Sequence, residues 1–190
     1  MTRAFVALTL PTAICSELVL LQMAMPVPRR VSPGNMHLTL AFLGDVPDPL
    51  LEEVHHALSE VVVPVFELRL QGLGLFGGGR AHNLHALVAP EPALEHLQAK
   101  VVHAVRRAGL RLDARRFLPH VTLARFAPAA IEQARLEKVV AGAGLFSAGP
   151  FPVDHFVLMR SILRQPEAVY EVLAEYPLDS PHHRVREASG

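Results

Sequence analysis

The sequence predicts an α+β fold built from two similar lobes that meet along antiparallel sheets. Runs of β-branched and aromatic residues alternate with longer segments whose apolar residues recur at helical spacing. The order of these segments is similar in the two halves of the chain. Each half also holds one copy of a repeated tetrapeptide, His37-Leu38-Thr39-Leu40 and His120-Val121-Thr122-Leu123. These observations indicate an internal duplication that places the two motif strands at the centre.

The first half of the chain contains four predicted strands and two predicted helices. Strands are expected where strand-forming residues run together or alternate with polar ones, over residues 3–10, 36–43, 66–71 and 83–89. Helices are expected where apolar residues repeat every three or four positions, over residues 11–25 and 48–62. Asp48 and Pro49 suit the N-cap and the first position of the second helix. Gly44 is expected to close the motif strand, and Gly77-Gly78-Gly79 to form a hairpin turn.

The second half repeats this order with a helix, the second motif strand, a weaker helix and two closing strands. The helices are expected over residues 92–108, with Gly109 as a stop signal, and over about 130–140. The closing strands are expected over residues 152–163 and 168–178, which suits a hairpin. Residues 1–180 are therefore predicted to form one domain of two lobes. The polar residues 181–190 are predicted to be a flexible tail.

The composition fits a cytoplasmic protein with a sizeable core. Of the 190 residues, 51% are hydrophobic, and 18 basic residues balance 18 acidic ones. A neutral chain lacks the broad basic face that a non-specific duplex binder needs. The single Cys15 excludes an intramolecular disulfide and any site with several cysteine ligands. Because Pro11 and Glu17 interrupt the apolar N-terminal region, neither a signal peptide nor a membrane-spanning helix is expected.

The repeated motif offers two histidines and two threonines to one cleft if the two strands lie side by side. Residues two apart in a strand point the same way, so His37 shares a face with Thr39, and His120 shares one with Thr122. Histidine titrates near neutral pH, so one imidazole can hold a proton while the other lacks one. Displacement at phosphorus needs such an acid and base, with donors to the non-bridging oxygens. The four side chains therefore suit attack on a phosphodiester without a metal.

Three further features bear on the candidate site. Arg125 lies at an odd offset from His120, so it reaches the same face only where a bulge or the strand end turns it back. Residues 100–125 hold seven basic residues and one acid, Asp113, and either steer a polyanion or form a solvated face. Four phenylalanines flank the cleft, each of them either core or a platform for a base: Phe5, Phe42, Phe76 and Phe126. Phe5 is the candidate for substrate binding.

Two other functions remain open from the residues alone. The same cleft would serve a non-catalytic nucleotide- or RNA-binding module. The surplus histidines would serve a metal-dependent hydrolase, although no Asp or Glu cluster accompanies them at ligand spacing. We therefore expect no metal ion and no cofactor.

With these motifs, the chain resembles the 2H phosphoesterase superfamily, and within it the bacterial LigT-like (ThpR) RNA 2′,3′-cyclic phosphodiesterases, formerly named 2′-5′ RNA ligases. The likeness lies in the two motifs and in the segments around them and near the ends, residues 3–8, 35–44, 72–76, 119–125 and 161–178. It implies the bilobal α+β fold of that family, in which two antiparallel sheets line a central cleft and the helices lie outside.

The resemblance also implies an activity and a set of site residues. It implies metal-independent hydrolysis of RNA 2′,3′-cyclic phosphate ends to 2′-phosphates, with reversal that joins RNA ends through a 2′-5′ bond. It places both motif histidines and threonines in the cleft and Arg125 on the phosphate. By analogy, His120 would activate water and His37 would protonate the departing 3′-oxygen. The expected partners are RNA with such ends or small cyclic nucleotides, without a membrane, and the expected state is a monomer.

Overall fold

The structure, a computed structural model, describes residues 1–77, 80–114, 116–164 and 167–179. The strands in these ranges are β1 (Thr2–Thr9), β2 (His37–Val46), β3 (Phe66–Phe76), β4 (Asn83–Val88), β5 (His120–Arg125), β6 (Ser147–Val153), β7 (His155–Ile162) and β8 (Val169–Pro177). The α-helices are α1 (Thr12–Ala24), α2 (Asp48–Ser59), α3 (Pro92–Arg107) and α4 (Gln133–Gly142). The predicted tail and Gly78-Gly79 of the predicted turn lie outside the described residues.

The eight strands form one antiparallel sheet in the order β6-β3-β4-β5-β2-β1-β7-β8. The motif strands β2 and β5 are its central neighbours, as the sequence predicts, but they share only the pair Leu38–Val121. Each motif strand pairs more extensively with its own half, β2 with β1 and β5 with β4. The predicted α+β fold with central motif strands is confirmed, and its two sheets are four-stranded halves joined at one point.

The duplication appears as a repeated strand-helix-strand-helix unit. β1-α1-β2-α2 and β4-α3-β5-α4 follow the same order, and each motif strand pairs with the strand that begins its unit. The register is repeated as well, since Thr9 pairs with His37 and Leu87 pairs with His120. Although the sequence analysis assigned β4 to the end of the first half, this pairing makes β4 the start of the second unit.

The two faces of the sheet have different neighbours. The leucine and valine side chains of both motifs are buried in the main hydrophobic core, together with apolar residues from all four α-helices. The motif histidines and threonines alternate with these residues, so they emerge on the opposite face. A smaller cluster covers part of that face and consists of Phe5, Ala7, Val157 and Met159, with Tyr170 packed against it. The helices therefore lie behind the candidate cleft, as predicted.

A buried glutamine ties α1 and the segment after it to the second motif strand. Gln22 is 3% exposed, and its Nε2 donates to the main-chain oxygens of Leu123 at 2.7 Å and Val31 at 2.9 Å. The Val31 N–H also donates to the Leu123 oxygen at 2.8 Å. Residues 29–31 therefore run along β5 beyond its single pair with β2. This placement brings two arginines of that segment beside Arg125.

Several element boundaries differ from the sequence prediction. β2 continues to Val46, because Gly44, at a φ of 73°, takes part in a bulge against β1 instead of a turn. α2 ends at Ser59 instead of residue 62, and Asp48 is its first residue instead of its N-cap. The closing strand expected over residues 152–163 is divided at Asp154 between β6 and β7.

Strand β6 was not predicted over its full length. Its sequence contains Gly149, Pro150 and Pro152, which weaken the alternating pattern of a strand. The prolines are accommodated because β6 lies at an edge of the sheet. The predicted hairpin of the last two strands is confirmed, since β7 pairs with β8 in antiparallel fashion. Across the described ranges, the helices are too short or too polar for any of them to cross a bilayer.

A glycine in β3 makes room for a buried histidine in β4. Gly74 pairs with His85, and a Cβ at Gly74 would lie 2.5 Å from His85 Nε2. The imidazole has little space to yield, because it is 3% exposed and its ring centroid lies 4.1 Å from that of Phe76. We expect Gly74→Ala to lower the free energy of unfolding by roughly 1–3 kcal/mol, as measured by chemical denaturation.

The matched control is Gly142→Ala at the end of α4, where a new Cβ would meet nothing within 4 Å. This control should leave stability unchanged or slightly raised. In a His85→Ala background, Gly74→Ala should lower the free energy of unfolding much less, because the imidazole atoms that the new Cβ would contact are absent. A loss of the same size in that background would contradict the clash.

Candidate active site

The motif histidines and threonines lie around the one pair that joins the two half-sheets. Because Leu38 pairs with Val121 in antiparallel strands, the next residues along each strand bring His37 opposite Thr122 and Thr39 opposite His120. The cavities agree with this register. His37 and Thr122 line a cavity of about 240 Å³, whereas Thr39 and His120 line a groove of about 990 Å³. The structure thus brings the four predicted residues together.

The same main-chain hydrogen bond orients both imidazoles. His37 Nδ1 lies 2.7 Å from the carbonyl oxygen of Asn35, and His120 Nδ1 lies 2.7 Å from that of Leu118. A carbonyl oxygen only accepts, so Nδ1 carries the hydrogen and donates it in each ring. Nε2 is therefore the nitrogen left for the substrate, as an acceptor in the neutral ring and a donor in the charged one. Sequence analysis missed these partners because any residue supplies a carbonyl.

Two aromatic side chains hold the ring of His37. The Phe5 ring centroid lies 4.8 Å from that of His37, and Tyr170 meets the same imidazole edge-on at 5.1 Å. Phe5 is only 2% exposed. The structure therefore places Phe5 behind the imidazole as a support, and not at the surface where a base would stack. Sequence analysis did not single out Tyr170, which lies in a different segment and reaches the site only through the pairing of β8.

His120 has a third histidine as its neighbour. The ring centroid of His85 lies 5.1 Å from that of His120, and Phe76 meets His120 edge-on at 4.8 Å. Burial, together with the charge of His120, lowers the pKa of His85 to about 4. His85 Nδ1 donates to Asn83 Oδ1 at 3.2 Å. Sequence analysis did not assign His85 to the site. The structure places it on the cleft face of β4, because it lies two residues from Leu87, which pairs with His120.

The surroundings of His37 favour its neutral form. Burial lowers the pKa of His37 to about 4, and the charges of Arg125 and His120 act in the same direction, against the hydrogen bond to Asn35. At pH 7 the imidazole is therefore neutral in the unliganded protein. A bound anion would act in the opposite direction, since negative charge near an imidazole raises its pKa.

Arg125 reaches the cleft despite its odd offset from His120. The pairing of β4 with β5 shifts by one residue after Thr122, which is a β-bulge. A bulge is one of the two features that the sequence analysis required for Arg125 to reach the face of His120. Arg125 lines the small cavity together with His37, Thr122 and two arginines that were not predicted, Arg29 and Arg30. Those two arrive because residues 29–31 run along β5. The cavity therefore presents guanidinium groups beside the imidazole.

Two of the surplus histidines make contacts with polar side chains away from the motif pair. His55 Nδ1 lies 2.8 Å from the Tyr176 hydroxyl, and His155 lies between Thr9 Oγ1 at 3.0 Å and Asp154 Oδ1 at 2.6 Å. Among the residues that the structure describes, no group of three or more His, Cys, Asp or Glu side chains is placed to hold a metal ion.

Comparisons with known proteins identify relatives of this chain. A profile of the 2′-5′ RNA ligase superfamily matches residues 26–164. An RNA 2′,3′-cyclic phosphodiesterase from Geobacillus stearothermophilus is 34% identical over 173 residues, which cover 88% of this chain and 53% of that relative. The chain thus spans about half the length of that protein. An RNA 2′,3′-cyclic phosphodiesterase from Thermus thermophilus is 33% identical over 199 residues, which cover 96% of this chain and 93% of the relative.

Solved structures share the fold over nearly the whole chain. Escherichia coli LigT complexed with 3′-AMP superposes with a TM-score of 0.76 at 26% identity, covering 93% of this chain and 98% of LigT. A Thermus thermophilus protein superposes with a TM-score of 0.76 at 28% identity, covering 95% of this chain and all of that one. Because the superfamily profile extends across both histidine motifs, this chain belongs to the 2′-5′ RNA ligase superfamily.

Proposed function

We propose that this protein hydrolyses RNA 2′,3′-cyclic phosphate ends to 2′-phosphates with two histidines as acid and base. The observation that carries the proposal is the matched pair of imidazoles at the join of the half-sheets, each with Nδ1 bound to a carbonyl and Nε2 left for the substrate. The relatives from Geobacillus and Thermus, named RNA 2′,3′-cyclic phosphodiesterases, support the same substrate. No metal or cofactor enters the proposal.

The proposed reaction is an in-line displacement at phosphorus. Water attacks the phosphorus opposite the 3′-oxygen, the bond between phosphorus and that oxygen breaks, and the phosphate stays on the 2′-oxygen. A base takes the proton from the attacking water, and an acid gives a proton to the departing 3′-oxygen. Each well-placed proton transfer contributes about 10²–10⁴-fold to the rate. When a 5′-hydroxyl replaces water, the same step joins two RNA ends through a 2′-5′ bond.

The remaining site residues suit the charge of the transition state. Negative charge grows on the two non-bridging oxygens, where hydroxyl and guanidinium donors stabilise it. Thr39 and Thr122 lie opposite the two imidazoles across the join, and Arg125 lines the cavity of His37. We assign the threonines and Arg125 to those oxygens. We assign no substrate contact to Phe5, since it is buried behind His37.

The family analogy makes His120 the base and His37 the acid, and this order sets a requirement on His37. An imidazole with a pKa of about 4 is neutral at pH 7, so it must gain a proton before it can act as an acid. The substrate phosphate supplies the negative charge that raises this pKa inside the cavity. Substrate binding should therefore be accompanied by proton uptake on His37.

The proposal also includes the oligomeric state of the protein and its location in the cell. The two half-sheets complete the cleft between them, which supports a monomer. RNA ends with cyclic phosphates are the proposed partners, which supports action in the cytoplasm.

We expect His37→Ala and His120→Ala each to lower kcat/KM for 2′,3′-cyclic nucleotides by at least about 10²-fold, because each removes one proton transfer. The assay is run in excess EDTA, and circular dichroism checks that the variants fold. The matched control is His96→Ala on the exposed side of α3, which should keep wild-type activity.

Three results would contradict the proposal. Near-wild-type turnover by either motif variant would remove the acid-base pair. Loss of turnover in EDTA with recovery in zinc or manganese would indicate a metal-dependent hydrolase. Saturable binding of nucleoside phosphates without turnover of any cyclic phosphate would indicate a binding module.

Proton uptake by His37 can be measured by calorimetry of 2′,3′-cyclic AMP binding in buffers of different ionisation enthalpy. At pH 5.5, His37 is mostly neutral when free, since its pKa is about 4. A bound phosphate that raises this pKa should cause a fraction of a proton to be taken up. The measurement uses the His120→Gln variant, which binds the substrate without turning it over. The control is the double variant His37→Gln/His120→Gln, in which proton uptake on binding should be absent. Binding without uptake in His120→Gln would assign the role of base to His37.

A further inference from the structure

A wide groove leaves the candidate site on the side of Thr39 and His120. Its volume is about 990 Å³, compared with about 240 Å³ for the cavity that His37 lines. The reacting phosphate needs only the space between the two imidazoles, so the groove has room for further parts of a substrate. Among the described residues, four arginines line it, and we call it the arginine groove: Arg3, Arg106, Arg111 and Arg116.

Three of these arginines line the groove and have no counterion among the residues that the structure describes. Arg106 lies in the last turn of α3, and Arg111 and Arg116 lie in the segment that leads to β5. Within the described ranges, none of the three forms an ion pair or a side-chain hydrogen bond. Their neighbour Arg107 does not line the groove and pairs with Glu60. Within the basic segment noticed in the sequence, Arg107 therefore forms an ion pair, whereas Arg106, Arg111 and Arg116 line the groove.

Two acids that the structure describes near the groove, Asp113 and Asp45, have partners of their own. Asp113 lines the groove and has an interaction of its own. Asp45 lies 3.5 Å from Arg3, whose guanidinium also lies 5.4 Å from the Phe42 ring centroid. The chain as a whole is neutral, so the groove concentrates positive charge at one place instead of spreading it over the surface. Such an arrangement attracts a polyanion toward the site.

The groove also contains an exposed aromatic ring. Phe42 is 55% exposed, whereas Phe5 and Phe126 are 2% and 9% exposed. Its ring stacks parallel to Phe5 at 6.1 Å, so one face is supported from within the protein. Proteins that bind single-stranded nucleic acids combine such rings, on which bases stack, with a positive groove that follows the phosphates. Phe42 is thus the most exposed of the four phenylalanines expected to flank the cleft, which suits the role of platform.

We propose that the arginine groove binds the nucleotides on the 5′ side of the cyclic phosphate, with a base on Phe42 and backbone phosphates on Arg106, Arg111 and Arg116. This inference rests on the proposed function and adds the path of the RNA strand and a preference for an oligoribonucleotide over a cyclic mononucleotide. A 2′,3′-cyclic phosphate occupies the 3′ end of a strand, so the rest of that strand leaves the site in one direction. The groove begins at His120 and Thr39, where that strand would start.

The test compares kcat/KM for a 2′,3′-cyclic mononucleotide with kcat/KM for a short oligoribonucleotide ending in the same cyclic nucleotide. Wild-type protein should prefer the oligoribonucleotide by about tenfold or more at low salt, and the preference should decrease as salt rises. The double variant Arg106→Gln/Arg111→Gln should reduce this ratio and its salt dependence. Phe42→Leu should reduce the ratio several-fold with less effect on the salt dependence, because it removes stacking and no charge.

The matched control is Arg135→Gln/Lys138→Gln, which removes two exposed positive charges from α4, away from the groove. It should keep the wild-type ratio. Equal kcat/KM values for the two substrates, or equal ratios in the groove variant and in the control, would overturn the proposal. A ratio lowered by Arg29→Gln but not by the groove variant would also overturn it, since the strand would then follow residues 29–31.

Failure of the proposed function gives a different result. In that case, neither substrate is turned over by the wild-type protein. Fluorescence anisotropy of a labelled oligoribonucleotide with a 3′-phosphate then tests the groove without catalysis. Affinity should fall in the groove variant and stay unchanged in the control, and equal affinities in both would overturn the groove assignment.

Discussion

The candidate site depends on the single backbone pair between Leu38 and Val121. Two half-sheets, each with its own extensive pairing, meet there and then separate. A longer ladder between β2 and β5 would close the space beside them. If the two strands shared no backbone pair, the positions of the two motifs relative to each other would not be fixed. One pair fixes their relative register and still leaves room for a cleft on either side. The apolar half of each motif, packed against the helices, keeps the histidines and threonines on the open face.

The duplication supplies two similar backbones, and the residues around them make the two imidazoles different. Both rings donate Nδ1–H to a carbonyl two residues earlier, so both present Nε2. Phe5 and Tyr170 surround one ring, whereas Phe76 and His85 surround the other. A mechanism with one acid and one base needs such a difference, because identical environments would give both groups the same protonation state. Burial and the charge of Arg125 provide it at His37.

The distribution of arginine explains how a chain with no net charge can serve an anionic substrate. Ion pairs occupy the guanidinium groups of Arg107 and Arg160 on the outer surface. Four of the arginines near the cleft lie on segments that follow α1 or α3, where the backbone can approach β5 or the groove: Arg29, Arg30, Arg111 and Arg116. Positive charge is therefore concentrated at the cleft, and acidic residues elsewhere in the chain compensate for it.

The sequence by itself determined the α+β class, the duplication, both motif strands and the four residues at the join, because strand periodicity and a repeated tetrapeptide are local patterns. It also indicated the condition under which Arg125 reaches the cleft. Only the tertiary structure decided that Phe5 is buried, that Phe42 is exposed, and that His85, Tyr170 and residues 29–31 surround the site. Burial and proximity depend on which strands pair and where they bulge. Those contacts join distant parts of the chain, and no local pattern records them.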